Sequence, residues 1–139
     1  SADRIERVET EGGTRLRVVD LKTGGTAIPV KEGETNLQLL AYQLAVESGD
    51  IGFEGRAVHS AGAHLVYVGT GTRKPTLRAQ ASLAEPGRRA DAEERIAVLV
   101  DAATGSHLVA TPSPMCRNCP VKRSCPLQAE GRTVGVDRG

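Results

Sequence analysis

The chain has 139 residues, a length that is usual for a single domain. Its 18 basic and 17 acidic residues leave a net charge of +1, which excludes a strongly basic, tail-like DNA-binding protein. Its apolar runs are far shorter than the ~18 residues that a transmembrane helix needs. Because aromatic residues make up only 2% of the chain, we expect a core built from Val, Leu and Ala.

Two segments near the N-terminus predict a β-hairpin. Residues 4–9 alternate apolar and charged side chains, the period of a half-buried strand. Residues 15–21 begin with the same alternation and then become continuously apolar around Asp20. The Glu-Gly-Gly sequence at residues 11–13 predicts the turn between them, so the two strands are expected to pair antiparallel.

A helix is predicted over residues 36–48, after a loop over residues 26–36. Thr35 with Gln38 fits a capping box at its start, and Gly49 fits its end. The stripe expected to be buried consists of Leu37, Leu40, Ala41, Leu44 and Ala45.

The second half of the chain predicts two more strands and one more helix. The strands are expected over residues 63–68 and, more weakly, residues 76–83. The helix is expected over residues 90–103 and ends at Gly105. The residues expected on one face of this helix are Ile96, Leu99, Val100 and Ala103. This order of elements predicts an α/β fold in which helices lie on a mixed sheet.

A pair of oppositely charged residues stands out in the second predicted strand. Asp20 and Lys22 share one face and lie about 7 Å apart along the strand. Asp3, which precedes the first strand, can lie near the same end of the hairpin. Two carboxylates and a backbone carbonyl form the oxygen ligand set that Mg²⁺ prefers, and a neighbouring Lys can orient or deprotonate a water or stabilise developing charge. The other interpretation is a solvated Asp–Lys pair, because Asp-x-Lys occurs often by chance.

Gln38 and Tyr42 are four residues apart in the predicted first helix. They therefore stack on one side of it and can lean over the polar face of the hairpin. Gln can hold a phosphate oxygen or a water, and Tyr can contact a nucleic-acid backbone. The alternatives are a capping role for Gln38 and a ring at the edge of the core for Tyr42.

Three cysteines lie close together in the C-terminal part of the chain. Cys116, Cys119 and Cys125 are an odd number with a C-x2-C spacing, which argues against a secreted disulfide framework. Ligation of zinc or an iron–sulfur cluster explains the spacing better, and both need a reducing compartment. His107 could complete a Cys3His zinc site. A segment rich in Pro, Cys and Arg without periodicity can bury little apolar surface, so it needs a bound metal or cluster to fold.

Three runs of this sequence resemble the PD-(D/E)XK nuclease superfamily: ADRIERVE at residues 2–9, VVDLKTG at residues 18–24 and LQLLAY at residues 37–42. More narrowly, with the cysteine segment, they are similar to the RecB-type nuclease domains of iron–sulfur helicase–nucleases of the AddB and AdnAB types. The resemblance implies a restriction-endonuclease-like core at residues 1–108 and an iron–sulfur-type tail at residues 109–139.

The resemblance also implies roles for individual residues. Asp3 and Asp20 match the metal-binding aspartates, and Leu21 would offer its backbone carbonyl to the Mg²⁺ or Mn²⁺ ion. Lys22 matches the catalytic lysine, and Gln38 and Tyr42 match a catalytic, DNA-contacting Q-x-x-x-Y helix. The cysteines match three of four 4Fe-4S ligands. The fourth, and a histidine that often binds metal, would lie upstream, so we expect the chain to be a piece of a longer protein.

The function implied by this resemblance is a metal-dependent DNA exonuclease in a helicase–nuclease that acts in double-strand-break repair. We expect single-stranded DNA or DNA ends as substrate, a helicase domain in the same polypeptide, a second helicase–nuclease subunit and a cytoplasmic location. Arg117, Lys122 and Arg123, among the cysteines, could hold DNA by its backbone. The alternative is a nuclease-inactive DNA-binding module stapled by zinc or an iron–sulfur cluster.

Overall fold

Four strands and three α-helices make up most of the described structure. The computed structural model describes residues 2–51, 58–105, 110–129 and 131. In chain order the elements are β1 (Arg4–Thr10), β2 (Gly13–Lys22), α1 (Val30–Glu34), α2 (Leu37–Ser48), β3 (Ser60–Tyr67), β4 (Thr76–Gln80) and α3 (Arg88–Thr104), followed by two short 3-10 helices. None of the helices in the described part of the chain has the length and hydropathy of a membrane-crossing segment.

The strands form one mixed sheet in the order β1-β2-β3-β4. The predicted hairpin is confirmed, because β1 pairs antiparallel with β2 from Arg4 opposite Val19 to Thr10 opposite Gly13. The chain then crosses over through α1 and α2, and β3 pairs parallel with β2. Finally β4 pairs antiparallel with β3. The predicted α/β fold with a mixed sheet is therefore confirmed.

A β-bulge interrupts the parallel ladder between β2 and β3. The register shifts between Leu16 and Val18, which are partners of Ser60 and Ala63. Gly62, in the extra stretch of β3, has φ +92°, and a Cβ there would lie 2.6 Å from the Gln80 carbonyl oxygen. Glycine is therefore required at this bulge, where it lets the backbones of β3 and β4 approach.

The core lies between α2 and one face of the sheet, here called the core face. Its buried side chains are Leu16, Val18, Leu39, Val46, Ala63, Leu65 and Tyr67. The stripe predicted to be buried on α2 was wrong in part, because Leu37 and Ala41 are exposed whereas Leu39, Gln43 and Val46 are buried. Apolar residues surround most of α2, so its periodicity fits more than one stripe, and packing against the sheet selects one of them.

The segment before α2 also differs from the prediction. A short helix, α1, lies within the predicted loop. The predicted capping box of Thr35 and Gln38 was wrong, because Asn36 is the N-cap and its side chain accepts a hydrogen bond from the Leu39 amide at 3.1 Å. The Thr35 hydroxyl instead donates to the Lys31 carbonyl at 3.3 Å, at the end of α1. Gly49 ends α2 as predicted, with φ +88°.

The helix α3 forms where the sequence predicts it, but its predicted apolar face is not buried among the described residues. Leu99 and Val100 are 44% and 54% exposed, and Ile96 is half-buried. The first half of α3 instead packs through Ala92 against Leu40 and Leu83. Periodicity identified the helix correctly but not the side of it that packs.

Two buried glutamines connect the elements around the core. Gln43 Nε2 donates to Gln80 Oε1 at 2.9 Å, and Gln43 Oε1 accepts from the Ser60 hydroxyl at 2.8 Å. Gln80 Nε2 in turn donates to carbonyls around the end of α1, among them that of Asn36 at 3.0 Å. Each amide is satisfied by several partners, so the pair holds α1, α2, β3 and β4 in one arrangement without an unpaired buried group.

The chain divides into two compact units, Ser1–Val100 and Asp101–Gly139. In the second unit the predicted cysteine segment contains two 3-10 helices, Pro114–Asn118 and Lys122–Ser124. The division falls within α3, whereas the sequence predicts a boundary between residues 108 and 109, which stays a prediction.

His64 generates a prediction about stability. It lies on the sheet face opposite the core face, as the register partner of Val19. Burial lowers its pKa below the ordinary value of 6.5, and the nearby Arg17 acts in the same direction. The unfolded chain therefore binds a proton first as the pH falls through 6.5, so the free energy of unfolding decreases there and levels off below the native pKa. We expect His64→Gln to remove this component in denaturant titrations between about pH 8 and about pH 5. Parallel stability profiles of parent and variant would contradict the assignment.

Candidate functional site

The candidate site is built around a carboxylate at the end of β2. Asp20 lies on the core face, in line with Leu16 and Val18, and only 4% of it is exposed. The alternation of side chains along β2 places it there, whereas Leu21 points to the opposite face and is 47% exposed. Burying a charged group is costly unless neighbours hydrogen-bond or pair with it, so the contacts of Asp20 decide what the site can do.

Gln38 provides the first of these contacts. It lies in the first turn of α2, where its amide Nε2 donates to Asp20 Oδ1 at 3.0 Å and to the Tyr42 hydroxyl at 3.0 Å. Its Oε1 accepts a hydrogen bond from Lys22 Nζ at 3.1 Å. The side chain of Gln38 therefore connects Asp20, Lys22 and Tyr42. It does not cap the helix, as the alternative interpretation holds.

Lys22 provides the second contact, two residues after Asp20 on the same face. Its Nζ lies 2.6 Å from Asp20 Oδ2. This hydrogen-bonding contact raises the pKa of Lys22 above its ordinary value, and burial, which lowers the pKa, is the smaller effect. Lys22 is therefore an ammonium at neutral pH, which favours charge stabilisation by this residue over proton abstraction.

Asp3 approaches the same corner from the start of β1. Continuing the β1–β2 register by one residue beyond Arg4 and Val19 places Asp3 opposite Asp20. The exposed carboxylate of Asp3 accepts a hydrogen bond from the Leu21 amide at 2.8 Å. The N–H and C=O of one strand residue point to the same side, so the Leu21 carbonyl also points to the β1 side of β2.

The oxygen donors at this corner fit a divalent cation. Asp20 Oδ2 is buried, and its contact among the described residues is the ion pair with Lys22 at 2.6 Å. The donors nearby are two carboxylates and a carbonyl, all oxygen, as Mg²⁺ and Mn²⁺ require. No group of three or more His, Cys, Asp or Glu side chains suited to a metal occurs in the described ranges, and Asp3 and Asp20 contribute two carboxylates to this corner.

Tyr42 lies at the edge of the core, as one interpretation holds, and its hydroxyl also lies at the candidate site, as the other requires. Its ring packs against the edge of the core cluster, and its hydroxyl accepts the hydrogen bond from Gln38. The spacing of four residues on α2 places both side chains on the side that faces the end of β2. The predicted group of Asp3, Asp20, Lys22, Gln38 and Tyr42 is thus brought together by the fold.

Sequence analysis missed Tyr67, which lies beside Lys22. The two residues are register partners in the parallel β2–β3 ladder. The phenol of Tyr67 contributes to the raised pKa of Lys22, after the larger effects of Asp20 and burial. The alternation of Ala63, Leu65 and Tyr67 along β3 indicates that these three side chains share one face. It does not indicate that β3 pairs with β2, which is what brings Tyr67 to Lys22.

The cysteine segment belongs to the second compact unit and is described by itself. Cys116, Cys119 and Cys125 are half-buried and not in disulfides. The Ser113 amide donates a hydrogen bond to Cys116 Sγ at 3.3 Å. Within the part of the chain that the structure describes, the three thiols do not form a group that could hold a metal ion. His107 lies outside the described residues.

The three basic residues predicted to contact DNA lie in the same unit. Arg117 is in the first 3-10 helix, and Lys122 and Arg123 are in the second. All three are exposed. Their role in binding DNA stays a prediction.

The ion pair of Asp20 and Lys22 generates a prediction about stability. Lys22→Met leaves a buried carboxylate without its cation, so we expect the free energy of unfolding to fall by about 1–2 kcal/mol. The cost is below that of breaking a fully buried pair, because the Lys22 side chain is 34% exposed. Chemical denaturation measures it.

The matched control is Arg4→Met, which breaks an exposed ion pair with Glu6. We expect this change to cost less than about 1 kcal/mol. Adding Asp20→Asn to Lys22→Met should recover part of the lost stability, because the unpaired charge is gone. Equal costs for the Lys22 and Arg4 variants would show that Asp20 does not depend on its partner.

A family model described as the PD-(D/E)XK nuclease superfamily matches residues 1–126, a range that includes the cluster around Asp20 and the three cysteines. No curated protein matches the chain. The match covers most of the chain, and the chain belongs to the PD-(D/E)XK nuclease superfamily.

Proposed function

We propose that this chain is a metal-dependent DNA nuclease domain that hydrolyses phosphodiester bonds as an exonuclease of the RecB type. The observation that carries the proposal is the buried carboxylate of Asp20, which is held between Gln38 and Lys22 at the end of β2. Structural carboxylates are seldom buried on an apolar sheet face, since the cost of desolvation is large. Membership of the superfamily supports a nuclease, and the narrower RecB assignment depends on the sequence resemblance.

Asp3, Asp20 and the Leu21 carbonyl would hold the Mg²⁺ or Mn²⁺ ion. When bound, such an ion supplies activation of the attacking water and neutralisation of charge on the phosphate. Asp20 is oriented for this role by Gln38, which donates to Oδ1 and leaves Oδ2 on the side of Lys22. Asp3 is oriented by the amide of Leu21.

Lys22 would stabilise the negative charge that develops on the phosphate oxygens. Its raised pKa keeps the ammonium charged, and Asp20 and Gln38 hold it in position before the substrate arrives. A preorganised cation at such a point typically contributes about 10²–10³ in rate. Gln38 and Tyr42 lie at the same corner, where an amide and a hydroxyl can orient the DNA backbone or the attacking water.

We also propose that the cysteine segment binds part of a 4Fe-4S cluster, with zinc as the alternative. The C-x2-C spacing, the absence of disulfides at these three cysteines and the amide hydrogen bond to Cys116 Sγ support thiolate ligands. The thiols as placed do not form a complete site, so a further ligand and a rearrangement of this unit are needed. No step of the hydrolysis passes through this group.

The wider context is proposed from the sequence resemblance alone. It comprises an ATP-dependent helicase domain of the same polypeptide, a second helicase–nuclease subunit and a role in the resection of DNA ends during repair. Arg117, Lys122 and Arg123 are proposed to contact the DNA backbone beside the cluster.

The catalytic assignment predicts different effects for two single variants. Asp20→Asn should abolish both Mn²⁺ binding and cutting of single-stranded DNA, because it removes a charged ligand. Lys22→Gln should retain Mn²⁺ binding and lower the maximal rate by about 10²–10³, because it removes only charge stabilisation. Calorimetric Mn²⁺ titration and release of labelled nucleotides measure the two properties.

The control for these variants is Arg95→Gln, which changes the charge outside the site and should leave both properties unchanged. Parental cutting rates in the Asp20 and Lys22 variants would overturn the proposed nuclease. A protein that binds DNA but neither binds Mn²⁺ nor cuts would establish the alternative, a nuclease-inactive DNA-binding module.

The cysteine assignment predicts a coloured protein. When the parent protein is purified without oxygen, we expect iron and sulfide with broad visible absorbance, and loss of both in Cys119→Ser. The matched control is Ser124→Ala, which changes a side chain of the same segment but removes no thiol, so the colour should remain. A colourless protein that contains zinc would replace the cluster with the zinc alternative.

A further inference from the structure

Two turns next to the candidate site are free of acidic residues. The first follows β2 and reads TGGTAIP at residues 23–29, and the second follows β3 and reads VGTGTRKP at residues 68–75. We call them together the double-turn surface. Neither segment contains Asp or Glu, although the chain has 17 acidic residues, and Arg73 and Lys74 are both exposed. The positive charge is therefore local and not a property of the whole chain.

The two turns are in contact from the first residue after Lys22. The Val68 amide donates to the Lys22 carbonyl at 2.9 Å, which continues the parallel ladder beyond β2. A Cβ on Gly69 would collide with the carbonyl oxygen of Thr23, so glycine is required for this approach of the two backbones. The surface therefore begins at the residue that carries the ammonium of the candidate site.

Hydroxyl groups hold the second turn in a defined shape. Thr70 Oγ1 lies 3.0 Å from Thr72 Oγ1 and 3.3 Å from Thr76 Oγ1, within hydrogen-bond distance of both. The Thr72 hydroxyl also donates to the Lys74 carbonyl at 2.6 Å, and Gly71 has φ +69°. A turn shaped in this way presents Arg73 and Lys74 with a small ordering cost on binding.

The first turn is anchored from the other side of the sheet edge. Arg78, on β4, donates through Nε to the Ile28 carbonyl. Its guanidinium also donates to the Leu77 carbonyl at 3.0 Å, so this cation is used inside the structure. The exposed cations that the double-turn surface presents are therefore Arg73 and Lys74, with Lys22 at its inner end.

We infer that the double-turn surface binds the phosphodiester backbone of a single nucleic-acid strand that enters or leaves the candidate site. Arg73 and Lys74 are adjacent exposed cations, which can contact neighbouring phosphates of one strand. Neither segment contains an aromatic residue on which a base could stack, so we expect contacts to phosphates with slight sequence preference. The inference rests on the proposed function for the identity of the strand.

The test measures binding separately from cutting. All proteins carry Asp20→Asn, which leaves the double-turn surface intact, and binding is followed by fluorescence anisotropy of labelled oligothymidine at several salt concentrations without divalent ions. In the double variant Arg73→Gln, Lys74→Gln we expect affinity to fall by about 10- to 30-fold at 0.1 M salt. We expect the slope of log affinity against log salt to shrink by about 1.4, which is about 0.7 for each lost phosphate contact.

The matched control is Arg15→Gln, Arg95→Gln, which changes the net charge equally at positions outside the double-turn surface. We expect its affinity to stay within about 2-fold of the parent, because these side chains make no phosphate contact. Equal losses in the two double variants, or a parental salt slope in the Arg73 and Lys74 variant, would overturn the inference. A labelled duplex that loses as much affinity as the single strand would overturn the assignment to a single strand.

A second arm, with Asp20 restored and Mn²⁺ present, distinguishes this inference from the proposed function. The Arg73 and Lys74 variant should need more DNA for half-maximal cutting and should keep its maximal rate, since these residues hold the strand but do not touch the reacting phosphate. If the Arg73 and Lys74 variant loses DNA binding but Asp20→Asn does not reduce cutting, the double-turn surface is supported and the proposed catalytic site is overturned. If the Arg73 and Lys74 variant binds DNA like the parent but Asp20→Asn abolishes cutting, the catalytic site is supported and the double-turn surface is overturned.

Discussion

The burial of one carboxylate is the constraint on which the rest of the site depends. Asp20 lies where the apolar face of β2 ends, and a charge at such a place is tolerated only with polar partners. Gln38 and Lys22 supply them, so the first turn of α2 must sit over the end of β2 for the fold to be stable. The contacts that stabilise the buried carboxylate also orient the groups that the proposed metal-assisted hydrolysis needs.

Strand topology then determines which residues meet at this corner. Antiparallel pairing returns β2 to the start of β1, which brings Asp3 to Leu21. Parallel pairing places β3 beside β2 with both carboxyl ends at one edge, which brings Tyr67 to Lys22 and the two following turns into contact. The hairpin thus collects the candidate metal ligands, and the crossover through α1 and α2 adds Gln38, Tyr67 and the second turn.

Predictions from the sequence were most successful where a side-chain period is unambiguous. A period of two placed Asp20 and Lys22 on one face, and a spacing of four placed Gln38 and Tyr42 together on α2. They failed where several arrangements satisfy the same pattern. Almost every side of α2 is apolar, so its buried stripe could not be chosen, and the competition of Thr35 and Asn36 for the cap was decided by a single hydrogen bond.

By itself, the sequence determined the hairpin, the two longer helices and the face of Asp20, because each depends on neighbours within a few residues; the family resemblance came from the order and joint presence of several short motifs. Only the tertiary structure decided that α1 forms, that Gln43 and Gln80 join four elements, and that Tyr67 lies beside Lys22. Those features depend on contacts between segments that are distant in the chain, which are set by the total burial and hydrogen bonding of the fold. The juxtaposition of the two turns has the same origin, since nothing near residue 23 in the chain indicates that residue 69 will touch it.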